Sequence, residues 1–337
     1  MLIYRHHSLK KLNSFGIECK AAYFSKIINP CELTPIIQHQ DYSVHTKLVL
    51  GGGSNLLFTS DYRGWVLHNL VKGIEVIGED ENQVWIKIGA GEVWDEVVQY
   101  AVDRGYGGIE NLSAIPGSAG AAPVQNIGAY GIELKDVFES LHAVNLINGK
   151  DESFTHDQCC FGYRDSIFKN KFKGHYFIAY ITLRLQKNPE YCLDYPDVEK
   201  FIATEYFGEK NLHNIRAAIT KIRWNKLPDP AFLGNGGSFF KNPLVCKEKA
   251  ASLRSLFPSM PVYDMAGGVK IPAAWLIEQA GWKGKISGHT GTYEHHALVI
   301  VNHGGATGSE IKAFSEAIKD DVQTRFGILL EPEVNVI

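Results

Sequence analysis

A chain of 337 residues, 45% of them apolar, can bury substantial cores and has room for two or three domains. Its formal net charge of −3 gives no reason to expect nucleic acid or an acidic membrane as a partner, which leaves small molecules. The amino-terminal segment has no apolar run of the signal-peptide kind, and nowhere do about 18 apolar residues follow one another, so a cytoplasmic protein is expected.

Taken in order, Lys10 to Ile17 leads into Ala21-Ala22-Tyr23-Phe24, and the first clear strand is Leu48 to Leu50. It runs into Gly51-Gly52-Gly53-Ser54-Asn55, and a further apolar run over Arg63 to Leu67 completes a small α/β unit ending near Leu70. The glycine triplet lacks the lysine of a phosphate-binding P-loop and the spacing of a dinucleotide fingerprint. From Gly73 the texture is alternation. Ile74 and Val76, an acidic turn at Glu79 to Asn82, then Val84, Ile86 and Ile88 predict a hairpin with one wet face. Glu92 to Arg104 places Val93, Trp94, Val97, Val98 and Ala101 on one helical stripe and stops at Gly105.

Neither period survives from Asn111 to Gly131, NLSAIPGSAGAAPVQNIGAYG, which has no charged side chain. It predicts a structured loop offering backbone N–H groups and the amides of Asn111, Gln125 and Asn126. Such a surface suits pyrophosphate oxygens or the carbonyls and ring nitrogens of a flavin. On this segment alone a tight glycine-rich turn inside a sheet protein is an equal alternative. Two such loops, near residues 50 and 120, are better explained by one extended cofactor clasped from two sides.

Beyond the loop, Val144 to Ile147 turning at Asn148-Gly149 and Tyr176 to Leu185 are strand candidates, and the irregular alternation of helix and strand predicts an α+β fold. Pro189 to Trp224 is more polar, with a helix over Leu212 to Ile222, and Lys226-Leu227-Pro228-Asp229-Pro230 then interrupts regular structure at a domain boundary. The last region carries a helix with Pro272 at its entry and Gly281 past its end, and a buried strand from Ala297 to Val301. A final helix opens with the capping box Thr307-Gly308-Ser309-Glu310, buries Ile311, Phe314, Ile318 and Val322, and stops at Gly327; a strand over Ile328 to Leu330 follows.

Three polar clusters could carry chemistry. Arg164, in Gly162-Tyr163-Arg164-Asp165-Ser166, has a planar fork that donates to both oxygens of a carboxylate, although an isolated YRDS is more often an inconsequential surface turn. Ser238, in Gly236-Gly237-Ser238-Phe239-Phe240-Lys241-Asn242, follows a glycine turn but lacks the G-x-S-x-G elbow, so proton donation suits it better than nucleophilic attack. Glu333 stands in Glu331-Pro332-Glu333-Val334 near the end, where carboxylates are usually solvated. The six cysteines contain no C-x-x-C pair and read as reduced packing residues. His6-His7 and His295-His296 are adjacent pairs without the i,i+4 spacing of helical ligands, so no metal site is expected.

LGGGSNLL, ENLSAIPGSAGAAPVQNIGAYG, GYRDSIFK, KLPDP, GSFFKNP, PAAWLIEQAG and EPEV occur in one order between about Leu12 and Val334, and together they resemble the UDP-N-acetylenolpyruvoylglucosamine reductase family of peptidoglycan precursor synthesis. The resemblance implies a vanillyl-alcohol-oxidase-like, PCMH-type FAD-binding region of two subdomains, 1–70 and 71–224, with an insertion near 189–222. A C-terminal α+β substrate domain, 225–337, would close over the sugar nucleotide. It implies noncovalent FAD, held by Gly51, Gly52, Gly53, Ser54 and Asn55 from one loop. From the other come Asn111, Ser113, Pro116, Gly117, Gly120, Ala121, Gln125, Asn126, Ile127 and Gly128. NADPH would reduce the flavin, and UDP-N-acetylglucosamine enolpyruvate would then enter the same cleft of a monomeric enzyme serving cell-wall synthesis, cell shape and cell division.

Carried over residue by residue, the family's reaction makes Ser238 the proton donor to C2, with Arg164 and Glu333 stabilising the enol-like intermediate. Tyr163, Lys226 and Asn242 match substrate-contacting positions, and Tyr195 matches the tyrosine of the insertion in the longer class. Two departures are present: His296 stands where the pattern often has glutamine, and four residues follow Glu333, where a longer terminal strand is usual. Two rivals stay open at this point. A different flavin oxidase would leave GSFFKNP and EPEV without a purpose, and a silent flavin or UDP-sugar binder would not need Arg164, Ser238 and Glu333 together.

Overall fold

The computed structural model describes residues 2–193, 195–206, 208–265 and 267–337. Strands β1 (Tyr4–Ser8), β2 (Lys20–Ile27), β3 (Lys47–Leu50), β4 (Leu56–Leu57) and β5 (Tyr62–Asn69) come first, with helix α1 (Leu33–Ile37) between β2 and β3. Next are β6 (Ile74–Glu79), β7 (Gln83–Gly89), α2 (Trp94–Asp103), β8 (Gly128–Ala129), β9 (Ile132–Glu133), β10 (Phe138–Asn145), β11 (Asp151–Thr155) and β12 (Tyr176–Gln186). Helices α3 (Pro196–Glu205) and α4 (Leu212–Lys226) lead to β13 (Gly234–Ser238), β14 (Leu244–Val245), α5 (Lys247–Leu256), β15 (Tyr263–Met265) and β16 (Gly268–Lys270). The chain finishes with α6 (Ala273–Gln279), β17 (Ile286–Ser287), β18 (Thr290–Thr292), β19 (Val299–Asn302), α7 (Gly308–Phe326) and β20 (Asn335–Val336). The chain divides into two compact units, one of Met1–His7, Ala21–Gly52 and Arg63–Arg223, the other of Ser8–Lys20, Gly53–Tyr62 and Trp224–Ile337.

The first unit contains a sheet of order β1-β2-β5-β3, with β3 and β5 parallel, and an antiparallel sheet of order β11-β10-β12-β7-β6. Period-two alternation puts Val84, Ile86 and Ile88 of β7 and Ile181, Leu183 and Leu185 of β12 into one core with Trp94, Val97, Val98 and Ala101 of α2. Each buried Val, Leu or Ile among them contributes roughly 1.5–3 kcal/mol. The Trp94 indole N–H also donates to the Leu112 carbonyl at 3.0 Å, so the buried face of α2 fixes the start of the charge-free loop. A second core holds Ile27, Leu33, Ile36, Trp65 and Leu67.

The second unit has an antiparallel sheet of order β13-β19-β18-β17, a small sheet of order β14-β16-β15 and a parallel pair of β4 with β20. The capping box at Thr307 and Glu310 forms as expected, Ile311, Phe314, Ile318 and Val322 are buried, and Gly327 ends α7 at φ 62°.

Several expected boundaries change. β1 and β2 precede the strand expected to be first; β1 is almost wholly exposed, so hydrophobic alternation had nothing to report there. Helix α3 has no counterpart in the expectation, and Val76 and Val93 are exposed because β6 is a sheet edge and Val93 is the N-cap of α2. The strand expected over Val144 to Ile147 runs instead from Phe138 to Asn145, with Ile147 exposed in the turn, and the buried strand near Ala297 begins at Val299. Ile328 to Leu330 lies outside the named strands; the terminal strand is β20, paired with β4.

Ile318→Ala, which empties a fully buried position on α7, should lower stability by about 2–5 kcal/mol, against about 1 kcal/mol for Thr307→Ala at the cap. Urea unfolding followed by tryptophan fluorescence measures both, and equal losses would contradict the assignment of the buried helix face.

Candidate active site

Within the first unit the two glycine loops touch. A Cβ on Gly52 would lie 3.1 Å from the Gly117 Cα, and one on Gly51 would collide with Ser118 Oγ, so backbone approaches backbone where no side chain fits. Gly120 packs equally closely on Ala90, to whose carbonyl it donates at 2.8 Å. Among the described residues, the N–H groups of Gly52 and Gly117 have no protein acceptor.

The loop's polar side chains mostly hold the loop itself. Asn111 Nδ2 donates to the carbonyls of Tyr130 at 2.7 Å and Cys192 at 2.9 Å, while its Oδ1 is buried without a protein partner. Ser113 Oγ donates to the Glu110 carbonyl at 2.5 Å, and Asn126 bridges the Gly162 carbonyl and the Lys135 N–H, each at 3.0 Å. Ile127 belongs to the core, Pro116 and Ala121 are exposed, and Gln125 is half-buried.

Residues not singled out by sequence surround Ala114, whose φ of 57° costs a residue with a Cβ about 1–2 kcal/mol. Its N–H donates to Asp95 Oδ1 at 2.6 Å and its carbonyl accepts from Arg223 Nε at 3.3 Å. Arg216 grips both Asp95 oxygens at 2.6 and 2.9 Å. Burial alone would raise the Asp95 carboxyl, but Arg216, the Ala114 N–H and nearby Arg223 outweigh it and hold the group below the usual carboxylate range. The available signal was the seven-residue spacing of Arg216 and Arg223, two turns apart on one face of α4.

Arg164 also sits in the left-handed region, at φ 54°. Its Nη2 donates to the Gly128 carbonyl at 2.5 Å, and its guanidinium lies 5.6 Å from the centre of the Tyr163 ring. A Cβ on Gly128 would come within 2.8 Å of Arg164 Nη1, so the glycine keeps the guanidinium's place open. Tyr195 caps α3 and meets the Tyr130 ring edge-on at 5.5 Å.

In the second unit, the register of β13 against β19 passes from Asn235 opposite Val301 to Ser238 opposite Val299. That bulge contains Gly237 at φ 69° and re-aims the half-buried Ser238. The next residue joins Ser238 to Glu333: the Phe239 carbonyl accepts from the Glu333 N–H at 2.8 Å, and Phe240 bridges Pro332. Asn55 Nδ2 donates to the Glu333 carbonyl at 3.3 Å, which brings a residue of the first glycine loop to the same place. Gly53 is wedged against the Leu12 carbonyl, and Ser54 is half-buried. Asn242 Oδ1 accepts from the Ala273 N–H at 2.9 Å at the start of α6, and Lys226 is exposed at the end of α4. Burial, with Lys226 and Lys283 adding to it, lowers the His296 pKa and keeps the ring neutral. Its Nδ1 accepts from the Leu298 N–H at 3.3 Å, which leaves Nε2 as the protonated, donating nitrogen.

These features fit FAD. Glycine-lined backbone with unengaged N–H donors suits an anionic diphosphate, and the buried Asn111 Oδ1, without a protein partner, is an acceptor in the same loop. No group of three or more His, Cys, Asp or Glu suited to a metal occurs among the described residues, and none of their helices is long and apolar enough to cross a membrane.

Residues 36–155 match the family model of an FAD binding domain, and residues 229–337 match that of the UDP-N-acetylenolpyruvoylglucosamine reductase C-terminal domain. The chain is 47% identical over 330 residues to UDP-N-acetylenolpyruvoylglucosamine reductase of Amoebophilus asiaticus, covering 98% of this chain and 97% of the relative. It is 44% identical over 339 residues to the enzyme of that name from Flavobacterium johnsoniae, covering 100% of both. The crystal structure of UDP-N-acetylenolpyruvylglucosamine reductase from Thermus caldophilus superposes with a TM-score of 0.69 at 22% identity over 99% of this chain and 98% of that one. A solvent-stable cholesterol oxidase gives 0.50 at 12% identity over 98% and 86%. At those identities the two structures speak to fold alone, and with the FAD-binding match they establish the α+β, PCMH-type architecture. Identity of this size along the whole length leads to one conclusion: the chain belongs to the UDP-N-acetylenolpyruvoylglucosamine reductase family and is an FAD-dependent oxidoreductase.

Proposed function

We propose that this protein reduces UDP-N-acetylglucosamine enolpyruvate to UDP-N-acetylmuramate with electrons from NADPH, in the cytoplasm and as a monomer, supplying peptidoglycan precursor. We further read residues 1–70 and 71–224 as the two cofactor subdomains and 225–337 as the substrate domain. The observation that carries the reading is the pairing of Ser238 with Glu333 through the Phe239 peptide, in a chain whose relatives bear the reductase name. FAD, held by the residues of the two glycine loops, would supply the two-electron chemistry that connects NADPH to C3 of the enolpyruvyl group.

The protein's own residues then manage charge and a proton. With hydride at C3, the electron pair of the former double bond spreads from C2 into the substrate carboxylate. Arg164, steadied by the Gly128 carbonyl, is the residue type that stabilises this charge best, because its fork meets both oxygens. The Ser238 hydroxyl gives its proton to C2 and completes the product, and Glu333 shares with Arg164 the stabilisation of the enol-like intermediate. Tyr163, Tyr195, Lys226, Asn242 and His296 bind the substrate. Lys226 brings positive charge to the diphosphate, and neutral His296 presents an N–H where an amide is usual. Gly51, Gly52, Gly53, Ser54 and Asn55, with Asn111, Ser113, Pro116, Gly117, Gly120, Ala121, Gln125, Asn126, Ile127 and Gly128, hold FAD without a covalent bond.

Stopped-flow mixing of the NADPH-reduced protein with the enolpyruvate, without oxygen, tests the whole reading: the oxidised flavin band should return rapidly, and a band that stays bleached would defeat it. Ser238→Ala should still be reduced by NADPH but transfer to substrate about 10²–10⁴-fold more slowly, and unchanged transfer would remove Ser238 as the proton donor. Glu333→Gln should impair the same half-reaction and spare flavin reduction. Gly128→Ala, which crowds Arg164 Nη1, should slow transfer to substrate roughly tenfold per bound flavin; an unaffected rate would show that Arg164 does not need this space.

A further inference from the structure

Asp95 lies on α2 and is not among the residues assigned above to FAD or substrate, yet its carboxylate is committed to the loop. Oδ1 accepts the Ala114 N–H at 2.6 Å, and Arg216, itself braced by Gln99 at 2.7 Å, holds both carboxylate oxygens. On the other side of Ala114, Arg223 donates to its carbonyl. The residue between these two grips is left-handed, at φ 57°, and it carries a Cβ. Left-handed residues other than glycine persist only where the surroundings over-determine them. Three residues later comes Gly117, whose backbone must lie against Gly52 for the two loops to meet.

We propose that Asp95 is a positioning residue: it holds Ala114 in the left-handed conformation and so sets the path of the FAD-binding loop. The proposal rests on the cofactor reading above. It explains why a carboxylate braced by one arginine, and a second arginine, bond the two sides of one alanine, and it makes a prediction peculiar to backbone control. Glycine has no Cβ penalty at positive φ, so at position 114 it needs no clamp.

The test compares FAD retention by the purified holoprotein, measured as flavin fluorescence released on dilution, in wild type, Asp95→Ala, Ala114→Gly and the double variant. Asp95→Ala should release FAD about tenfold more readily, the scale of one lost left-handed preference, and Ala114→Gly should behave as wild type. The double variant should return to within about threefold of wild type. Equal loss in Asp95→Ala and the double variant would overturn the proposal, because an ion pair serving only stability gains nothing from glycine at 114. Wild-type retention by Asp95→Ala would overturn it as well. If Asp95→Ala does not fold, a folded, flavin-loaded double variant supports the proposal and an unfolded one overturns it. A wild-type protein without flavin would defeat the underlying cofactor reading before any variant is compared.

Discussion

Backbone has to touch backbone where Gly51-Gly52 meets Gly117-Ser118, and most of the first unit's construction serves that contact. The loop is fastened from below by strand-like bonds, Trp94 N–H to the Gly117 carbonyl at 3.0 Å and Ala119 N–H to the Glu92 carbonyl at 2.8 Å. Burial of the apolar stripe of α2 therefore places not only a core but also the floor of the cofactor loop. Ala114, Asn126 and Arg164, each left-handed without being glycine, lie in or against that loop, and each is tied by side-chain bonds that outweigh its backbone penalty.

The second unit solves a different problem, which is to bring the backbone at Ser238-Phe239 and at Glu333 together from distant parts of the chain. It does so with main-chain bonds. Extending β13 by one bulged residue turns Ser238, and the segment after α7 returns to pair with Phe239 and Phe240, where the Glu333 N–H bonds the Phe239 carbonyl. Gly234 and Gly236 make room for this pairing against Phe15.

Much of the scaffold was legible in advance. The stripe of α2 apart from Val93, the alternation in β7, the β-branched and aromatic strand β12, and the cap and apolar face of α7 are read correctly because their residue types and burial follow the element itself. β1 and α3 escaped notice for the opposite reason: β1 is polar and exposed, and α3 buries only Val198 and Ile202. In the site, the glycine loops and the motif residues were legible as types. Their division of labour was not, since nothing in a sequence says that Asn111, Ser113 and Asn126 turn their amides and hydroxyl inward to brace the loop.

By itself, then, the amino-acid order determined the α+β class, the reductase family, the charge-free loop and the candidate chemistry at Arg164, Ser238 and Glu333, because each is carried by local periodicity or by an ordered set of motifs. Only the tertiary structure decided that Gly52 faces Gly117, that Glu333 bonds to Phe239, and that Asp95, held by Arg216, and Arg223 bond Ala114 from its two sides. Those are contacts between segments far apart in the chain. Their partners are chosen by packing and by the need to satisfy buried polar groups, which no local pattern records.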